Sequence, residues 1–324
     1  MPPFARPSSI SRRHFLHQIL GASGVAAATA INPLFAQSVI TPASAQAFRF
    51  ALLTDFHLMQ DGALRSAEGI AACLIAMEKL VPRPDFILVG GDLVHRARDL
   101  TIQDAEKRLD FFLKIWKDHT SLPAHWTFGN HDLVGTNNPA VPTSDRHYGK
   151  GLFKDRFRLS SLFYSFDYKG WHFVILDDIE PLPNKEYTGK LFDDELQFLK
   201  ADLDAHRAVP TVICVHIPIL TNLPVSLYLA LSSGHPHAQT FECSNGGNLI
   251  ADLPKHNVKA VLAGHLHQLE RIERDGVPFI NCGAVCGNYW QGSMFGTPEG
   301  FGVVDLGADG SVAFDYHSYG WKAT

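Results

Sequence analysis

Five short apolar runs in this chain each lead into a histidine, aspartate or asparagine, and that repeated junction restricts the fold more than any other feature. Phe50-Ala51-Leu52-Leu53 leads to Asp55-Phe56-His57, and Phe86-Ile87-Leu88-Val89 to Gly91-Asp92. Trp126-Thr127-Phe128 leads to Gly129-Asn130-His131-Asp132, and Val212-Ile213-Cys214-Val215 to His216. Val261-Leu262-Ala263 leads to Gly264-His265-Leu266-His267. Runs of this length, rich in β-branched and aromatic residues, read as buried strands. Ligands of open α/β sheets bind outside the carboxyl ends of strands, so the five ends are expected to share one crevice.

The residue types at those ends name the chemistry. Carboxylates, imidazoles and one amide form a set of O and N donors suited to Mn, Fe, Zn or Co rather than to a thiolate-seeking ion. Seven candidate ligands (Asp55, His57, Asp92, Asn130, His216, His265, His267) exceed the needs of one ion. They divide over two if one carboxylate bridges. Two ions about 3.5–4 Å apart can clamp the attacking and leaving oxygens of a displacement at phosphorus, and they lower the pKa of a bound water.

The ordered set D-x-H, G-D, G-N-H-D, H and G-H-x-H resembles the calcineurin-like metallophosphoesterase superfamily, and most of all its cyclic-nucleotide and glycerophosphodiester phosphodiesterases. Each block alone is common; all five in order, each at a strand end, are specific. The resemblance spans about Phe48 to the strand after Asp275-Gly276. It implies an α/β fold, a four-layer α/β/β/α sandwich of two mixed sheets. It implies that Asp55, His57 and His267 hold one metal, that Asn130, His216 and His265 hold the other, and that Asp92 bridges. His131 is then the histidine that faces the substrate without ligating, stabilising charge or protonating the leaving oxygen. Asp132 either orients His131 or structures the turn. Two departures stand out. Purple acid phosphatases carry a tyrosine three residues after the bridging aspartate, where this chain has His95, which argues against a tyrosinate-bound ferric ion. Many phosphodiesterases of the subgroup carry two prolines after the single histidine, where this chain reads His216-Ile217-Pro218-Ile219.

The remaining histidines read as bystanders. His147, His235 and His237 fall in long loops, where a solvated imidazole is the default, and His95 reads as a neighbour of the metals rather than a ligand. Tyr289-Trp290 fits a pocket rim and a hydrophobic plug equally well. Five cysteines make an odd count. Cys73 in a helix and Cys214 in a strand read as buried thiols, and a Cys282–Cys286 disulfide is disfavoured.

The N-terminus reads as an export leader over residues 1–45, followed by one domain over 46–324. Ser11-Arg12-Arg13-His14-Phe15-Leu16 is a twin-arginine pattern, and an alanine-rich apolar stretch runs from Ile19 to about Phe35. No acidic residue precedes Asp55, and Ala43-Ser44-Ala45 and Ala45-Gln46-Ala47 offer cleavage sites. Ser23, Thr29, Asn32 and Pro33 interrupt the apolar stretch, so no stable membrane span is expected. Losing Arg6, Arg12 and Arg13 with no acid moves the formal charge from −5 to −8. Such a domain, without a basic run, is not expected to bind nucleic acid.

Further along, Ala67, Ile70, Leu74 and Met77 recur at helical spacing before Pro82 and Pro84, and Ala105, Leu109, Phe112 and Trp116 form a second stripe of core residues. Phe163 to Asp177 reads as two strands turning at Lys169-Gly170. Asp193-Asp194-Glu195 opens a helix, and Asp275-Gly276 and Asp309-Gly310 mark hairpins.

The expectation is an exported dimetal phosphoesterase, periplasmic or secreted through the twin-arginine translocation machinery. It acts on small phosphate esters, diesters before monoesters, by attack of a metal-bridging hydroxide, with two divalent or mixed-valence ions as cofactors. The alternatives are a phosphomonoesterase with the same centre and, from another class, a non-catalytic metal-binding or scaffolding module.

Overall fold

In the computed structural model, which describes residues 45–182, 186–223 and 241–323, strands from distant parts of the chain assemble into two sheets. The expected leader up to residue 44, His235 and His237 lie outside the described residues. The first sheet has the order β13-β12-β1-β2-β3, with β1 Phe48–Leu53, β2 Ile87–Val89, β3 Ala124–Trp126, β12 Gly300–Leu306 and β13 Val312–Ser318. In it β1, β2 and β3 run parallel, and β12 and β13 are antiparallel additions. The second has the order β10-β11-β9-β8-β5-β4, with β4 Tyr164–Tyr168, β5 Trp171–Ile175, β8 Thr211–Cys214, β9 Val258–Ala263, β10 Glu270–Arg274 and β11 Val277–Asn281. Its centre, β11-β9-β8-β5, is parallel. A small ribbon of β6 Ile179–Pro181 and β7 Tyr187–Gly189 stands apart.

Strand alternation builds the layers. Phe50 and Leu52 of β1, Leu88 of β2, Phe173 and Ile175 of β5, Val212 and Cys214 of β8, and Ala260 and Leu262 of β9 point between the sheets and form one core. Their alternates Ala51, Leu53, Ile87 and Val89 meet α1 Ser66–Glu78, α2 Ile102–His119 and α3 Gly151–Phe157 on one outer face. Val174, Ile213, Val261 and Ala263 meet α4 Asp193–Ala205 and α5 Gly246–Asp252 on the other. The result is the expected α/β fold in four layers. In the middle core Phe50 stacks on Phe86 at 5.1 Å, and Phe173 meets Phe86 edge-on at 5.5 Å. Burying each ring is worth about 1.5–3 kcal/mol and the pair geometry about 0.5–1.5, so apolar burial is the larger contribution.

The local expectations hold with two exceptions. The stripes fall on α1 and α2, the Lys169-Gly170 turn joins β4 to β5, and both aspartate-glycine pairs turn hairpins. All five cysteines are buried and free. The third strand, however, closes at Trp126, earlier than the run Trp126–Phe128 suggested. His147 is not a solvated loop residue. It is 5 % exposed, with Nδ1 2.8 Å from Glu106 and Nε2 2.8 Å from Asp155. Two carboxylates brought from α2 and α3 make burial of that ring favourable, and sequence neighbours do not reveal them. No helix among the described residues is long and apolar enough to cross a membrane.

His172 on β5 makes a similar clamp. Its Nδ1 lies 2.7 Å from Asp167 on β4 and its Nε2 2.7 Å from Asp202 on α4, while its ring stacks on His206 at 3.7 Å. Both nitrogens face carboxylate oxygens, so both must carry protons. Burial alone would lower this imidazole, but the bonds to Asp202 and Asp167 outweigh it and raise its pKa. A raised folded pKa gives stability that is full below the unfolded value of about 6.5 and lost as pH rises through the folded value. The melting-temperature gap between wild type and His172→Gln is therefore expected to be widest near about pH 6 and to narrow by about pH 9. Thermal scans across that range check it; a gap that widens with pH contradicts it.

Candidate metal centre

Each site residue leaves its strand through a tight turn. Asp55, His57, Asp92, His265 and His267 have φ between 42° and 70°, a left-handed conformation that non-glycine residues rarely adopt. The turns are stitched together. Asp55 N–H donates to Gly91 O and His57 N–H to Asp92 O, both at 3.0 Å, joining the ends of β1 and β2. On the other side Val285 N–H reaches Thr54 O and Cys286 N–H reaches Asp55 O, so the β1 turn also bonds the segment after β11 in the second sheet.

Two groups of donor atoms meet there, sharing one oxygen. Asp92 Oδ2 lies 3.4 Å from His57 Nε2 and 3.3 Å from His216 Nε2. On the first side, His267 Nε2 is 3.0 Å from His57 Nε2 and 3.3 Å from Asp55 Oδ1. On the second, His216 Nε2 is 3.0 Å from Asn130 Oδ1, and His265 offers a ring nitrogen within 4.8 Å of ligand atoms of Asp92 and His216. The structure thus brings together all seven residues read from the strand ends, with the Asp92 carboxylate between two groups of donor atoms. These groups could hold two cations.

The hydrogen bonds around the site test that fit. A carbonyl only accepts, so His216 Nδ1 donates to Gly90 O at 2.7 Å and His267 Nδ1 to Gly287 O at 2.6 Å. In its neutral form each ring would then aim an Nε2 lone pair at carboxylate or amide oxygen. Asp55 Oδ2 takes Thr54 Oγ1–H and His265 N–H, while its Oδ1 is buried without a hydrogen bond. Lone pairs facing lone pairs in a buried site call for a proton or a cation between them. The charges respond accordingly. Burial alone would lower His216, but the charge of Asp92 and its bond push it up to about 10. Burial alone would raise Asp92, but His216 and His131 hold it far below the usual carboxylate range.

The motif glycines make room. A Cβ on Gly129 would lie 2.2 Å from Asp92 Oδ1, and one on Gly264 would lie 2.6 Å from Asp55 Oδ2. His131 N–H donates to Asp92 Oδ1 at 2.7 Å, and its ring meets that of His57 at 4.5 Å. Arg96 N–H donates to His131 Nδ1 at 3.1 Å. The neutral His131 ring therefore carries its proton on Nε2. Asp132, expected either to orient His131 or to structure the turn, accepts from Leu93, Val94 and Gly129 N–H, bonds that tie the turn after β2 to the turn after β3.

Other side chains surround the donors, His95 where the sequence placed it as a neighbour, Asp178 and the Cys286 contact beyond the sequence reading, and Tyr289-Trp290 left open by it. His95 Nδ1 lies 3.4 Å from His57 Nδ1, a contact behind the donor face. Asp178 Oδ1 accepts from His216 N–H at 3.3 Å, and Cys286 Sγ packs 3.7 Å from His267 Nδ1. Tyr289 lays its ring 4.8 Å from His57 and 4.7 Å from His267, a wall of the site, while Trp290 is the plug, 1 % exposed and bonded to His57 O.

A two-sheet α/β sandwich with such donors at its strand ends is the frame of a metal-assisted hydrolase. The chain belongs to the calcineurin-like phosphoesterase family, whose model matches residues 48–269. It is similar to a 3',5'-cyclic-nucleotide phosphodiesterase of Nostoc, 26 % identical over 272 residues, 81 % of this chain and 88 % of the relative. In fold it resembles a dimetal phosphatase from Danio rerio, with TM-score 0.55, 17 % identity and coverage of 84 % and 99 %. It also resembles the anchor protein GAP50 of the Plasmodium inner membrane complex, with TM-score 0.50, 16 % identity and 86 % coverage of both. A fold shared by a phosphatase and an anchor does not itself decide activity; the side chains at the strand ends must.

Gly129→Ala is expected to displace the Asp92 carboxylate while sparing the cores. Metal analysis after Mn²⁺ loading should show less bound manganese in a variant that remains folded by circular dichroism. Full manganese content would show that the glycine clears space for nothing essential.

Proposed function

We propose that this chain is an exported hydrolase of phosphodiesters with a dinuclear centre. The observation that carries the reading is the pair of donor groups meeting at Asp92 Oδ2, with the His131 ring 4.5 Å from that of His57. In it Asp55, His57, His267 and Asp92 hold one ion, and Asp92, Asn130, His216 and His265 the other. Two ions of the Mn, Fe, Zn or Co class would supply Lewis acidity and a water that ionises near neutral pH. The protein does the rest. Gly90 and Gly287 carbonyls fix the tautomers of His216 and His267. His131 donates its Nε2–H to a phosphoryl oxygen or to the leaving oxygen, which requires the Nδ1 acceptor role seen at Arg96 N–H. Asp132 holds the turn that places it.

Support for a diester substrate comes from the phosphodiesterase relative, with a phosphomonoesterase as the rival of the same centre. Support for export, and for passage through the twin-arginine machinery as a folded protein, comes from the Ser11–Leu16 pattern and the apolar stretch after it.

The test is hydrolysis of a chromogenic phosphodiester and its monoester by the mature chain reconstituted with Mn²⁺. Diester turnover is expected, abolished in Asp92→Asn and reduced about 10²–10⁴-fold in kcat in His131→Ala. Monoester turnover alone would overturn the substrate class, and unchanged rates in both variants would overturn the mechanism.

A further inference from the structure

Most cations near the centre are already engaged. Arg96 bonds Asp99 at 2.6 Å, Arg108 donates to His95 O at 2.8 Å, and Lys150 bonds Asp177 at 2.6 Å. Arg98 differs. Its guanidinium makes no hydrogen bond or ion pair among the described residues, and its Nε is buried without a partner.

Its position is nevertheless fixed. Arg98 lies in the helical turn Ala97–Asp99, six residues after Asp92, and this turn packs against the turn Asn130–Asp132 that carries His131. Gly135 N–H donates to Ala97 O and Asn137 N–H to Arg98 O, so the backbone holds the turn independently of the guanidinium. The guanidinium carbon sits 5.8 Å from the ring centre of Tyr187, and Tyr187 in turn meets the His265 ring edge-on at 6.4 Å. Arg98 and Tyr187 therefore stand at the His265 side of the centre, and Tyr289 stands at the His57 and His267 side.

Arg98 is half-buried, and a buried donor atom such as its Nε is costly to leave without an acceptor, which a ligand can supply where the protein does not. The planar five-donor fork of arginine matches the oxygens of a phosphate better than an ammonium does. We propose that Arg98 binds an anionic oxygen of the phosphate ester, with Tyr187 holding the guanidinium plane, and so sets the affinity of this site for anionic substrates. The inference rests on the phosphoesterase reading and deepens it. One charge placed beside the ions favours ligands with more ionised oxygens, so inorganic phosphate and monoesters should depend on Arg98 more than a singly charged diester does.

The experiment compares wild type, Arg98→Gln and Arg98→Lys, each loaded with Mn²⁺. It measures phosphate affinity by calorimetry, KM and kcat for the chromogenic diester, and manganese content. Arg98→Gln is expected to weaken phosphate binding about 10- to 100-fold and to raise KM in the same direction, with kcat within a few-fold and manganese unchanged. Arg98→Lys should recover part of the phosphate affinity, which mere packing on Tyr187 would not require. Unchanged phosphate affinity in Arg98→Gln overturns the proposal, and so does loss of manganese there, which would make Arg98 part of the assembly of the centre. A wild type that binds phosphate through Arg98 yet hydrolyses neither ester would instead sink the phosphoesterase reading and leave this one standing.

Discussion

Everything near the strand ends is arranged around one electrostatic problem: buried oxygens and imidazole nitrogens that present lone pairs to one another across about 3 Å. Asp55 Oδ1, Asp92 Oδ2 and Asn130 Oδ1 are acceptors, and so are the Nε2 atoms of His216 and His267 when those rings are neutral and donate Nδ1–H to Gly90 O and Gly287 O. Nothing in hydrophobic packing favours such a meeting. The chain reaches it through five left-handed non-glycine residues, each a conformation that costs of order 1–3 kcal/mol. It persists because two hydrophobic cores flanking one shared core position the strands, and because the turns bond one another across both sheets. The strain sits where the chemistry is, and the packing that supports it sits elsewhere.

That division explains what was legible in the sequence. Strand ends were readable because a buried parallel strand is a short apolar run, and the residues just beyond it have no packing reason to be histidine or aspartate. The motif glycines were readable as motif letters, but their reason, clearance for the Asp92 and Asp55 carboxylates, needs the two sheets in contact. Helices α1 and α2 announce themselves by periodicity, whereas the segments of α3 and the β6–β7 ribbon carry no period that marks them. His147 and His172 show the other limit. A histidine in a polar loop, like His147, looks solvated, and one inside an apolar strand, like His172, looks out of place, until carboxylates from other elements are set against both of its nitrogens.

The same limit applies to the charges around the centre. Arg96 and Arg98 are two residues apart in Arg96-Ala97-Arg98-Asp99, with no feature of the sequence to distinguish them. In the folded chain Asp99 takes Arg96, and Arg98 is left with an aromatic face and no acceptor among the described residues. Likewise Asp132 follows His131 directly, where a catalytic partner would be convenient. Its oxygens are taken by three backbone N–H groups. Adjacency in sequence suggests partnership, but hydrogen-bond accounting assigns it.

This accounting also separates what the fold contributes from what the residues contribute. A scaffold of similar shape serves as an anchor in another organism, so the sandwich by itself predicts a place for a site and not a reaction. The donor groups, the proton left on His131 Nε2 by the Arg96 amide, and the aromatic wall of Tyr289 are properties of particular side chains on that frame. They also couple the site to stability. A cation that joins the facing lone pairs binds the folded chain and finds no such arrangement in the unfolded one, so its binding free energy adds to that of folding. The conformational cost of the five left-handed residues would then be offset by ligation, which the packing of the two sheets makes possible but does not replace.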